Sequence, residues 1–78
     1  MSEQQTPGPA VGMVVREKAT GRLLELMDHI GGRWQARPLN GGRERDLTPE
    51  ELVVLGDRSS PGVRLAVADE RSRRGALR

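Results

Sequence analysis

The chain has 78 residues, 35% hydrophobic and 31% charged, with a net charge of +2, one Trp, one His, and no Cys, Phe or Tyr. This length allows one small domain. The composition excludes a disulfide-stapled scaffold, thiol chemistry and Cys-ligated zinc, and no stretch approaches the roughly 18 apolar residues of a membrane span.

Residues 1–10 are polar with two Pro and one Gly, and read as a disordered leader. They lack the basic and apolar regions of a secretory signal, so an intracellular, cytoplasmic protein is expected. Residues 11–17 are rich in β-branched and apolar side chains and read as a strand. Ala19, Thr20 and Gly21 supply a turn. Residues 22–30 fit two patterns. Leu23, Leu24, Met27 and Ile30 have the spacing of an amphipathic helix. Yet Gly31-Gly32 fits a two-residue hairpin loop, and residues 33–37 fit the returning strand, ended by Pro38.

Asn40-Gly41-Gly42 is the strongest turn in the chain. Residues 43–46 then read as a short polar edge strand, whose charges discourage pairing with another sheet. Thr48, Pro49 and Glu51 have the pattern of a capped helical turn. Residues 52–55 form an apolar run suited to a closing strand. Residues 57–62 are a linker by composition, with Ser60 and Pro61 able to start a helix over 63–78.

The short strands and the turns between them favour a small all-β domain over residues 11–56. Its predicted core is Val14 or Val15, Leu24, Leu26, Trp34 or its neighbours, Leu39, Leu47, Leu52 and Val54. Charge is uneven: residues 1–56 hold seven Lys/Arg against eight Asp/Glu, and residues 57–78 hold six Arg against three acids.

Little in the chain points to catalysis. His29 has no nucleophile to activate and lies across the predicted hairpin from Trp34, an ordinary packing pair. The paired carboxylates Glu44/Asp46, Glu50/Glu51 and Asp69/Glu70 carry no signal of burial that would shift a pKa. The Gly-Gly pairs match no phosphate-binding fingerprint. No catalytic, cofactor or metal residue is assigned. Trp34 is either the core anchor or, flanked by Arg33 and Arg37, an exposed interaction surface. Arg64, Arg71, Arg73 and Arg74 are the candidate contacts to phosphate or an acidic partner.

Residues 12–56 resemble a group of small actinobacterial proteins, the BldB-type developmental regulators. The resemblance is carried by Gly21-Arg22, Gly31-Gly32, Arg37-Pro38-Leu39 and Gly41-Gly42-Arg43-Glu44. The group commonly carries Trp after this Arg-Glu; Arg45 stands there. The resemblance implies a small SH3-like (KOW/Tudor-like) barrel; with the helix read from the residues after the linker, the expected fold is mostly β, about five strands and a C-terminal α-helix. The resemblance implies a strand at 22–30. It also implies a non-enzymatic regulatory protein that acts through protein contacts and self-associates.

A homodimer is therefore the first expectation, since a chain this small with neither disulfide nor metal gains from a partner subunit. The alternative is a nucleic-acid-binding accessory protein using the arginines of the C-terminal segment. No cofactor and no membrane partner is expected.

Overall fold

A computed structural model describes the backbone of residues 8–76 and the side chains of residues 8–70. Most of the expected leader, residues 1–7, lies outside them. Five antiparallel strands form one sheet: β1 (Val14–Glu17), β2 (Leu23–Ile30), β3 (Arg33–Pro38), β4 (Arg45–Leu47) and β5 (Leu52–Gly56), in the order β4-β3-β2-β1-β5. A 3-10 turn, Pro49–Glu51, joins β4 to β5. One helix follows, α1 (Pro61–Ala76). The protein is thus mostly β with a C-terminal helix. The helix starts at Pro61, inside the segment that composition marks as linker.

Residues 22–30 form strand because their partner is adjacent. Gly31 and Gly32 take φ of 56° and 79°, so both central residues of the loop are left-handed, as a tight hairpin turn requires. The loop sets Ile30 opposite Arg33 and His29 opposite Trp34. At the other crossover, the Thr48 N–H donates to Glu51 Oε1 at 2.9 Å and holds the 3-10 turn.

Two bulges bend the sheet, one between Val14 and Val15 against β5, the other between Leu26 and Asp28 against β3. A bulge adds a residue to one strand and sharpens the local twist. The ion pair between Glu17 on β1 and Arg45 on β4, at 2.8 Å, shows the result. Three strand spacings separate these strands, about 14 Å in a flat sheet. The sheet therefore rolls over its inner face. There Val15, Leu24, Leu26, Trp34, Ala36, Leu47 and Leu52 pack as one buried cluster fed by all five strands. Leu39 and Val54, expected in the core, are only partly buried.

Closure into a barrel is not completed by hydrogen bonding. Among the described residues no ladder joins β4 to β5, and both remain edges. The physical reason lies in β4, which is three residues long and gives way to the Thr48-Pro49 turn at once.

The outer face carries a second cluster. Val14 and Leu23 are covered by Val63 of α1, with Leu39, Leu55, Ala66 and Val67 around them. Val14 and Val15 are therefore both buried, on opposite faces, because the helix covers one and the rolled sheet the other.

Candidate interaction surfaces

The bulge after Leu26 decides what the β2–β3 hairpin presents. Simple alternation from Leu24 and Leu26 would turn Asp28 and Ile30 inward. The extra residue, Met27, reverses that parity, and His29 takes the inner face instead. Its ring stacks on the indole of Trp34, with centroids 4.0 Å apart and planes 6° from parallel. Trp34 is 6% exposed. It is a core anchor lidded by the imidazole.

Arg33 and Arg37 are exposed on the same strand, but at odd positions relative to Trp34, so they project from the opposite face. The three residues proposed as one interaction surface do not form one. This corrects the exposed-platform reading of Trp34: strand alternation sends the aromatic and the two cations to different sides. Arg37 instead approaches Glu44 at 3.4 Å, a solvent-exposed pair of little energetic weight.

Arg64 is exposed on α1, beside Arg58, Val63, Val67 and Ala68, in a shallow groove against the helix. Arg71, Arg73 and Arg74 belong to the helix backbone, and their side chains lie outside the described residues. A basic depression not anticipated from sequence lies at the other end of the sheet. It is lined by Arg22, Arg43, Glu44, Arg45 and Asp46. Arg45 is already engaged by Glu17, so the depression is a mixed-charge surface. Arg22 is distant in sequence from the other four, and only the return of the chain through the Gly41-Gly42 turn brings them to it.

Glu17 is the one buried charged residue among those described, 2% exposed. Its carboxylate accepts from Arg45 Nη2 at 2.8 Å and from Thr20 Oγ1 at 2.9 Å. Both partners fix its position, which suits a structural clasp between β1 and β4. Among the described residues no three His, Cys, Asp or Glu side chains come together as a metal site. No helix among them is long and apolar enough to cross a membrane.

The two sheet edges differ. The β4 edge is short and charged, Arg45-Asp46 preceded by Arg43-Glu44. The β5 edge is Leu-Val-Val-Leu-Gly, with no charge and no Pro, and Val53 stands 44% exposed on it. The sequence pattern reads residues 52–55 as the closing strand of a barrel, which leaves no edge there; the missing charge was the available signal of one.

Comparison with family models, with curated proteins and with solved structures gives no match.

Proposed function

We propose that this protein is a non-enzymatic regulatory module that acts through protein–protein contacts and self-associates as a homodimer. The observation that carries the reading is the size of its core. Among the described residues ten apolar side chains are buried, divided between two clusters on opposite faces, with a single aromatic among them. A chain of this length without disulfide or metal gains stability from association. Its groups with catalytic potential are committed elsewhere: His29 to Trp34, Glu17 to Arg45 and Thr20. The resemblance of residues 12–56 to the BldB-type developmental regulators points the same way.

The test is a solution mass measured over a concentration series spanning micromolar to millimolar protein. A mass that doubles across the series, or stays at twice the chain mass, supports the reading. A chain mass throughout overturns self-association. Salt-dependent binding to duplex DNA or RNA, lost when Arg64, Arg71, Arg73 and Arg74 are replaced by Ala, then becomes the next measurement.

A further inference from the structure

We propose that the outer edge of β5 is the surface through which two copies of this chain associate, their β5 strands pairing antiparallel about a two-fold axis at Val54. This rests on the self-association proposed above and names its interface. Two five-stranded sheets would become one of ten strands.

The ladder to β1 shows which main-chain groups are free. The Lys18 N–H donates to the Glu51 carbonyl at 3.0 Å. With Glu17 opposite Leu52 and Arg16 opposite Val53, antiparallel alternation directs the main chain of Val53 toward β1 and that of Leu52 and Val54 away from it. The Leu52 N–H is taken by the Pro49 carbonyl. The Val54 N–H and C=O, and the Leu52 C=O, face outward. Among the described residues they have no backbone partner.

A two-fold axis at Val54 lets the two Val54 residues exchange both main-chain bonds. It sets Val53 of each copy beside Leu55 of the other on the outer face. Val53 is 44% exposed and Leu55 partly buried, so this pairing covers an apolar strip that one chain leaves open. Leu52 comes beside Gly56, which carries no side chain of its own, Ser60 and Val63 filling the space a Cβ there would enter. Beyond the strand ends the chain leaves the extended conformation, at the 3-10 turn Pro49–Glu51 and at the turn after Gly56, and Arg58 is held by Glu25 of its own chain at 2.9 Å. Glu51 and Asp57 likewise accept bonds within their own chain, from Thr48 and from Ser59.

The helix leaves the edge accessible. Val63 packs close to Gly56, and Glu70, two turns later, accepts a 2.8 Å bond from Asn40 beyond the end of β3. α1 thus crosses the outer face away from β5. Proteins protect free edges with charge, Pro, shortness or a covering element, and β4 uses two of these. The β5 edge has no charge, no Pro and no covering element along its five residues; its one irregularity is the extra residue of the bulge against β1, Leu55.

The experiment compares the full chain with Val53→Lys and with Leu65→Lys, the latter on α1 at a side chain 72% exposed. Dissociation constants come from sedimentation over a concentration series. Trp34 fluorescence reports that each variant is folded. Amide exchange at Val54 is followed in the unaltered chain at high and low concentration. The expected result is that Val53→Lys raises the dissociation constant at least about tenfold while Leu65→Lys does not. The Val54 amide should also exchange faster on dilution. A dimer equally strong in Val53→Lys, or a Val54 amide indifferent to concentration, overturns the β5 interface and leaves self-association standing. A monomer at every concentration overturns both.

Discussion

The two faces of the sheet bury their side chains by different means. The inner cluster draws on every strand, from Val15 on β1 to Leu47 on β4 and Leu52 on β5. Opening it means separating ladders. The outer cluster rests on Val14 and Leu23 from two neighbouring strands and is closed by Val63 from a helix. That helix is tethered by the Asn40–Glu70 hydrogen bond past its middle and by a short loop at its start. It can lift while the ladders stay intact. Adjacent residues of one strand should therefore belong to units of different cooperativity, the inner face opening with global unfolding and the outer face by a local step.

Leu23 and Leu24 break or sharpen this comparison most directly. Both are at most 1% exposed, they are neighbours on β2, and they face opposite ways. Leu24→Ala leaves a cavity that four other strands cannot fill without giving up hydrogen bonds, and should cost about 4 kcal/mol. Leu23→Ala leaves a cavity beneath a helix that can settle, and should cost about 2 kcal/mol. Urea denaturation followed by Trp34 fluorescence gives both numbers. Equal losses would show that α1 is as firmly part of the fold as the strands are.

The next effect in size concerns the charged clasp on the inner face. Arg45→Ala leaves the buried Glu17 carboxylate with Thr20 as its remaining side-chain partner. Since Arg45 is itself 41% exposed, water reaches part of the vacated space, and the loss should be about 2 kcal/mol. Replacing both residues, Glu17→Leu with Arg45→Met, should cost less than Arg45→Ala alone, because no buried charge is then left uncompensated. A double variant less stable than the single one would show that the pair itself, rather than the avoidance of a stranded carboxylate, holds β4 over β1.

The same two-faced burial explains what could be read from the sequence and what could not. The turns were legible because Gly31-Gly32, Asn40-Gly41-Gly42 and Thr48-Pro49 each have a local physical reason. The strand at 22–30 was not, on pattern alone. A strand buried on one face alternates; β2 is buried on both faces at its start, giving Leu23-Leu24. It is then bulged at Met27, which restores an apolar residue four positions after Leu23. Together these imitate helical spacing. Val14 and Val15 posed the same problem: choosing one of them assumed a single buried face, and Val63 makes the second. The Glu17–Arg45 clasp left no trace in the sequence because 28 residues separate its partners, and only the roll of the sheet brings them together.

The smallest effect tests the launch of the helix that closes the outer face. Asp57 accepts from Ser59 Oγ at 2.6 Å and from the Ser59 N–H at 2.9 Å, and the Ser60 N–H donates to its carbonyl. The Ser59 hydroxyl first, then the Ser59 N–H, hold its carboxyl below the usual aspartate value. A carboxyl depressed on folding stabilises the native loop above its unfolded pKa, and that contribution is lost as pH falls through the folded one. Acidification should therefore loosen residues 57–60, and with them the first turn of α1, before it disturbs the inner cluster. In Ser59→Ala the Asp57 midpoint, read by carbon-detected NMR titration, should move up toward the ordinary range. Amide exchange at Val63 and Arg64 in that variant should then be faster at acid pH while Leu24 and Ala36 stay protected. Equal acid sensitivity at Leu24 and Val63 would make the two faces one cooperative unit and remove the distinction between them.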